Sequence, residues 1–451
     1  MGGALMDRES IRRRFEDNHI RRVKVGAFDI DATLRGKYIS LEKFWSAVES
    51  GLGFCDVIFG WDIGDVLYDN VKFTGWHTGY PDAHCRIDLA SYRLVPWEPG
   101  TAFFLLDFRR PNGDPLEEAP RQVFERVLAR AADRGYGANF SAEYEFFIFR
   151  ETAQSLRDKH FSGLTPLTPG MFGYSVLRAS SNADLVLEIL EGLAAFDVPL
   201  EGFHTETGPG VYEAAIAVAP GLAAADRAAL FKIAVKEIAA KHSLTPTFMA
   251  KWNAALPGSS GHLHQSLSPA GEAGNLFYGE TGLPDLLKQY IAGLVTNMPE
   301  LMAVFCPTVN SYKRTVPGAW APVNATWGLD NRTTAVRVIP GSKKSTRAEL
   351  RITGADINPY LAMAASLAAG LDGIERQLEL PHPTVNAYSG DAPALPRTLG
   401  DATRLFRGSR VAREWLGEEF VDHYASTREW EVRQYEKAVT DWELARYFES
   451  V

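Results

Sequence analysis

Four short segments of the chain carry acids and histidines at spacings that suit a divalent cation. In SAEYEFFIF (141–149), Glu143 and Glu145 stand two residues apart. On a strand, such residues project from the same face. Two carboxylates beside Phe146, Phe147 and Ile148 are costly to bury unless a cation neutralises them. In HTETGPGVYEAAI (204–216), Glu206 and Glu213 flank a Gly-Pro-Gly turn. In PGSSGHLHQSL (257–267), His262 and His264 share a strand face, and in STRAELR (345–351), Glu349 sits between Arg347 and Arg351. Taken singly, each has a plainer account: a solvated acidic strand, loop surface, a structural histidine pair, or a surface ion-pair ladder worth ~0–1 kcal/mol per pair. Their joint occurrence favours chemistry. Oxygen-rich donors with an imidazole suit Mg²⁺ or Mn²⁺ rather than a structural zinc.

The basic residues point the same way. NSYKRTVPG (310–318) offers Lys313 and Arg314; WGLDNRTTAVRVIPGSKKSTRAELR (327–351) adds Arg332, Arg337, Lys343, Lys344, Arg347 and Arg351. Arginine forks grip carboxylate and phosphate with two hydrogen bonds at once. Metal ligands beside clustered arginines describe a phosphoryl-transfer site, with the cations neutralising charge and the arginines holding the phosphate. A basic patch for RNA or membrane is the competing account. No GxxxxGK[ST] loop and no GxGxxG after a strand appears, so a nucleotide would bind by another architecture.

The elements that must position these residues read as an α+β protein. VKVGAFDIDATLRGKYISLEKF (23–44) predicts strand, turn, strand, and LEKFWSAVESG (41–51) a short helix closed by Gly51. TAFFLLDFRRPNGDP (101–115) predicts a buried strand ending in a turn, and a domain boundary is expected near 112–120. Residues 1–115 and 116–451 are the two expected domains. The spacing predicts helices over 120–137, 182–196, 222–242, 284–297 and 359–378, with strands between them, and a helical stretch from Asp401 on. The 451 residues carry 47 Lys+Arg against 56 Asp+Glu, a net charge of -9, which argues against a dedicated nucleic-acid partner. No apolar run reaches the ~18 residues of a membrane span. Three cysteines without a CxxC pair, and a charged N-terminus without an apolar core, predict a cytoplasmic protein.

In this order, DIDATLRGKYI, AEYEFFIF, ETGPGVYEAAI, SGHLHQSL, NSYKRTVPG, DNRTTAVRV and STRAELRITGADINPYLAMAA resemble the glutamine synthetase family from about Val23 to Asp372. The resemblance implies a small N-terminal β-grasp domain and a catalytic domain built on a curved antiparallel sheet. It implies one divalent ion held by Glu145, Glu206 and Glu213, and a second held by Glu143, His262 and Glu349. Arg314 matches the arginine on the glutamate α-carboxylate, Arg351 the one near the γ-carboxylate, and Arg332 and Arg337 those near the ATP phosphates. Ser266, His264 and Lys344 fall at nucleotide-side positions, and Gly258 in the glutamate-binding loop. Two stacked hexameric rings, a homo-dodecamer, are implied, with Asp62 reaching into a neighbour's site. The implied reaction has two steps: ATP phosphorylates the γ-carboxylate of L-glutamate, then a nitrogen nucleophile displaces phosphate.

The chain departs from the family pattern where ammonium would bind. The flap reads TVPGAWAP (315–322), with Trp320 where the family carries a glutamate; a DGSS-like segment becomes Asp62-Ile63-Gly64-Asp65; and an Asn-Gly pair becomes Pro257-Gly258. An ammonium ion needs an anion to offset its desolvation, whereas an indole offers apolar area and a π face. The expected activity is therefore a glutamate–amine ligase acting on an alkyl, aryl or polyamine. The alternatives are a glutamine synthetase using another base, and a non-catalytic scaffold, against which all six expected ligands stand. Tyr388 falls near a position adenylylated in some bacterial relatives, and no regulatory role is assigned to it.

Overall fold

A computed structural model of the chain describes residues 6–318, 320–387 and 392–451, so Tyr388 lies outside the described residues. Helix α1 (Arg8–Asp17) precedes the first strand pair, β1 (Arg22–Phe28) and β2 (Leu34–Ile39). The turn between them is built by Asp29, whose Oδ1 accepts the backbone N–H groups of Asp31 and Thr33 and whose Oδ2 accepts Arg35 Nε at 2.8 Å. Helix α2 (Leu41–Ser50) starts on the Ser40 hydroxyl and stops at Gly51 with φ +75°. Strands β3 (Leu52–Cys55), β4 (Asp82–Ile87), β5 (Arg93–Leu94) and β6 (Thr101–Arg109) complete a six-stranded sheet. Its order is β2-β1-β6-β4-β3, with β5 on β6 and β1 parallel to β6. All of β6 except its last residue is buried, as its unbroken apolar run predicts.

The second sheet has nine strands: β7 (Tyr136–Phe149), β8 (Leu200–Thr205), β9 (Val211–Ile216), β10 (Ala219–Pro220), β11 (Thr245–Thr247), β12 (Gly261–Pro269), β13 (Trp327–Leu329), β14 (Val336–Ile339) and β15 (Arg347–Leu350). Their order is β13-β14-β15-β12-β7-β9-β8, with β10 and β11 also on β7. Every pair is antiparallel except β13 with β14. Strand β7 is central, and its alternation sets the two faces. Phe140, Tyr144 and Phe146 are fully buried on one face. They pack on Phe124 of α3 (Pro120–Asp133) and Phe231 of α7 (Gly221–Lys241), the helices that back the sheet. Truncating such a core aromatic costs about 3–5 kcal/mol. Ser141, Glu143 and Glu145 on the other face are half-buried. Between α3 and α7 in the chain lie α4 (Ala153–Asp158), α5 (Val176–Ser180) and α6 (Ala183–Ala195).

Helix α8 (Asp285–Phe305) runs eight residues beyond the predicted end at 297 and passes through Pro299. The proline removes one helical N–H, but Leu301 to Phe305 continue the turn because all five are buried. Helix α8 crosses α9 (Pro359–Glu375) so closely that a Cβ on Gly293 would stand 2.2 Å from the Ala369 carbonyl oxygen. Helices α10 (Leu399–Gly408), α11 (Arg410–Leu416), α12 (Glu418–Lys437) and α13 (Asp441–Tyr447) form the C-terminal stretch. No helix among the described residues is long and apolar enough to cross a membrane.

Candidate active site

Strand register gathers the acids and histidines that lie far apart in the chain. Glu145 of β7 pairs with Glu213 of β9, which pairs with His204 of β8. Glu143 pairs with His262 of β12; His264, two residues on, pairs with Glu349 of β15, which pairs with Arg337 of β14. Directly opposed residues share a face, and i, i+2 neighbours do too. One face therefore carries His204, Glu213, Glu145, Glu143, His262, His264, Glu349 and Arg337 in a row across five inter-strand steps.

Glu143 is the hub. His264 Nε2 lies 3.0 Å from Glu143 Oε2, and His262 Nδ1 lies 3.8 Å from the same oxygen and 3.3 Å from Glu349 Oε1. Donor atoms of Glu143, His264 and Glu349 all fall within 4.8 Å of one another, a spacing compatible with a shared cation. Arg347 Nε donates to His264 Nδ1 at 3.0 Å. That bond holds the ring with its Nε2 turned toward Glu143. Glu145 is held by the Ser260 backbone N–H, 2.7 Å from its Oε2. Glu349 is gripped by Arg337 at 3.0 Å and by Arg351, whose Nε also donates to the Arg332 carbonyl.

The electrostatics show a crowded acid site. Burial pushes the Glu213 carboxyl up to about 10, helped by Glu143, Glu145 and Glu206 around it. Burial also raises Glu145, against the opposing Ser260 N–H and Arg314. Burial works in the same sense on Glu349, but His262, Arg351, His264 and Arg337 outweigh it and hold that carboxyl near 2. Glu143 is likewise held well below the carboxylate range by His262 and His264 despite burial. Burial, reinforced by Arg351, lowers His262 to about 4. Carboxylates this close repel one another unless protons or cations sit between them. This donor set fits hard divalent ions.

The other predicted residues fall around this face. Glu206 stands on the turn after β8, its Oε2 accepting the Thr207 N–H, and its charge acts on Glu145 and Glu213. Arg314 is buried and donates to the Ile352 carbonyl. Gly258 lies directly on it: a Cβ there would sit 2.5 Å from Arg314 Cγ and 2.6 Å from the Ala250 oxygen. Ser266 follows His264 by two residues on β12 and is half-buried. Lys343 and Lys344 lie exposed on the turn between β14 and β15, not in the acid cluster. Asp62 does not join the cluster of its own chain. Its Oδ1 accepts the N–H groups of Gly64 and Val66, and its Oδ2 accepts Trp430 Nε1 at 3.1 Å. Trp320 is 68% exposed with φ +57°.

Two residues escaped the sequence reading. Tyr174, from the segment before α5, stacks on His204 with ring centroids 4.4 Å apart and planes 7° from parallel. His204 Nε2 lies 3.5 Å from Glu213 Oε1. His204 was legible in principle, being two residues from Glu206. Tyr174 was not, since only the tertiary fold brings it there.

The description "glutamine synthetase, catalytic domain" matches residues 117–447. The chain is 48% identical over 438 residues to type-1 glutamine synthetase 2 of Dictyostelium discoideum, covering 95% of this chain and 84% of that protein. It is 39% identical over 450 residues to glutamate–isopropylamine ligase of Pseudomonas sp, covering 98% of each. It is 38% identical over 423 residues to gamma-glutamylethanolamide synthetase GlnA4 of Streptomyces coelicolor, covering 93% and 91%. A solved GmaS/ADP complex superposes with a TM-score of 0.85 at 30% identity, covering 98% of this chain and 100% of that one. The fold is that of glutamine synthetase, and the chain is a carbon–nitrogen ligase. The chain belongs to the glutamine synthetase family, whose enzymes use ATP and divalent metals.

Proposed function

We propose that this chain joins the γ-carboxylate of L-glutamate to an amine, with ATP giving ADP and phosphate through a γ-glutamyl phosphate. The chain falls in the glutamate–amine ligase branch of its family, alongside the isopropylamine and ethanolamine enzymes. The observation that carries an amine rather than ammonia is Trp320. An indole 68% exposed at positive φ does no core packing, so packing does not explain its presence in the flap. It offers an alkyl or aryl group a π face and apolar area where the family's flap offers a carboxylate.

Glu145, Glu206 and Glu213 would hold one Mg²⁺ or Mn²⁺, and Glu143, His262 and Glu349 a second, with His264 beside it. When bound, these ions supply charge neutralisation for two anions brought into contact. The rest falls to the chain. Arg314 and the Gly258 loop receive the α-carboxylate of glutamate. Arg351 steadies the γ-carboxylate, while Arg332 and Arg337, with Ser266 and Lys344, address the ATP. The γ-carboxylate oxygen attacks the terminal phosphorus and ADP departs. The amine nitrogen then attacks the acyl carbon, loses a proton to a carboxylate, and phosphate leaves. Asp62 is our candidate for that carboxylate. Its place away from its own cluster fits delivery from a neighbouring subunit, so we place the site at a subunit boundary in a dodecamer of two hexameric rings. The proposed domains, 1–115 and 116–451, are supported by the change of sheet between β6 and α3 and by the family match beginning at 117. We place the enzyme in the cytoplasm, without membrane or nucleic-acid partners.

Phosphate release with ATP, Mg²⁺, L-glutamate and a panel of amines tests the proposal. At least one primary amine is expected to exceed ammonium in kcat/KM by tenfold or more, a difference of about 1.4 kcal/mol in transition-state binding. Ammonium exceeding every amine would overturn it. That outcome is the second reading, a glutamine synthetase, which the 48% identity to the Dictyostelium protein favours.

A further inference from the structure

Asp356, on the segment after β15, takes no part in the chemistry above, yet it meets the stretch of chain that leads from α8 to Arg314. Its Oδ2 accepts two hydroxyls, Thr308 Oγ1 at 3.0 Å and Ser311 Oγ at 2.5 Å. The same two residues also bond each other. Ser311 Oγ accepts the Thr308 N–H and Thr308 Oγ1 accepts the Ser311 N–H, both at 3.1 Å. Together they close the short turn Ser311–Lys313, and the next residue is Arg314. Hydroxyl bonds to a carboxylate are roughly twice as strong as those to a neutral acceptor, so this turn has one dominant anchor.

The turn is tied on a second side. Asn310 Oδ1 accepts the Lys251 N–H and Asn310 Nδ2 donates to the Lys251 carbonyl, both at 2.8 Å. Lys251 begins the loop that ends at Gly258, the glycine lying on Arg314 Cγ. Arg314 itself donates to the Ile352 carbonyl, on the same segment as Asp356. Three segments therefore meet at the root of Arg314, and Asp356 is the acid among them. It forms no ion pair with Arg314 among the described residues, so it acts through the turn. Its charge also falls on two buried cations: burial lowers Arg314 with Cys306, Glu145 and Asp356 opposing, and lowers Lys232 to about 7 with Asp356 opposing. We infer, on the reading that Arg314 receives the α-carboxylate of glutamate, that Asp356 positions that arginine by holding the 308–313 turn. Asp356 touches no substrate, and its effect is confined to the amino-acid side of the reaction.

Initial rates of phosphate release from the full-length enzyme, with glutamate and ATP varied in turn, test the inference. Asp356→Asn is expected to raise the KM for glutamate by about tenfold, with kcat and the KM for ATP within about twofold. Ser311→Ala is expected to raise it severalfold, and to add less than that when combined with Asp356→Asn, because both act through one turn. Ser311→Ala alone serves if Asp356→Asn does not fold. Arg314→Lys keeps the charge but loses the planar fork, and is expected to raise the glutamate KM at least as much. If Arg314→Lys does so while the folded turn variants keep a normal glutamate KM, raise both KM values together, or combine additively, the inference is overturned and the role of Arg314 stands. An unchanged glutamate KM in Arg314→Lys would overturn that role and the inference with it.

Discussion

Trp320 and Glu143 carry the two halves of the account. Glu143 organises the site because two imidazoles, one of them fixed by Arg347, converge on a single carboxylate oxygen. The sequence alone indicated that Glu143, Glu145, His262 and Glu349 belong together, since their residue types and i, i+2 spacing fit one chemistry. It could not show that His264 stands within donor reach of Glu143 and Glu349, because strand register decides that, not spacing. Under the proposed function, Trp320 selects the nucleophile. Replacing it by glutamate restores an anion for ammonium and removes the apolar surface. Trp320→Glu is therefore expected to lower kcat/KM for the preferred amine by about tenfold or more and to raise it for ammonium, while the KM for ATP stays within about twofold. Initial rates of phosphate release with each nitrogen donor measure this. An unchanged preference would show that the indole takes no part in selection.

Strands and loops explain what was legible and what was not. The alternation of β7 and the His-x-His of β12 were readable because period-two patterning maps directly onto two faces of a sheet. The end of α8 was not, since Pro299 reads as a stop and only packing of Leu301 to Phe305 in the core carries the helix past it. Nor was the stacking of Tyr174 on His204, a contact between segments 30 residues apart. The loop at Pro257-Gly258 illustrates a third case. The sequence flagged it as a departure, and the structure supplies the reason for its glycine: there is no room for a Cβ between Arg314 and the Ala250 carbonyl. Gly258→Ala is expected to displace the Arg314 side chain and raise the KM for glutamate by about tenfold, with a smaller effect on the KM for ATP. Circular dichroism showing a native fold would separate this from simple unfolding. A normal glutamate KM in a folded variant would remove Arg314 from the glutamate site.

The two sheets are held in one molecule by buried charge. Arg121 of α3 reaches Asp107 of β6 at 2.6 Å, Asp88 after β4 at 2.7 Å, and both oxygens of Asp226 of α7 at 3.0 Å. Tyr360 of α9 completes the cluster on Asp226 at 2.7 Å. Buried arginine among three acids is costly to assemble but worse to break, because the acids are left unpaired. Arg121→Met is expected to cost about 3–5 kcal/mol of unfolding free energy, read from chemical denaturation. A loss below about 1 kcal/mol would mean that the cluster is solvated and does not join the sheets. At the C-terminal end, Arg428 of α12 pairs with Asp31 in the β1–β2 turn at 2.7 Å, and Asn70 donates to the Ser426 carbonyl at 2.7 Å. The loop that carries Asp62 is thus anchored to α12 through Asn70 and through the Trp430–Asp62 hydrogen bond.

Crystals grown with Mn²⁺ and ADP, measured at the manganese absorption edge, test the central claim most directly. The account predicts two anomalous peaks on the acid-lined face, one bounded by Glu145, Glu206 and Glu213 and one by Glu143, His262 and Glu349. A face without an anomalous peak, at manganese concentrations that support turnover, would contradict it.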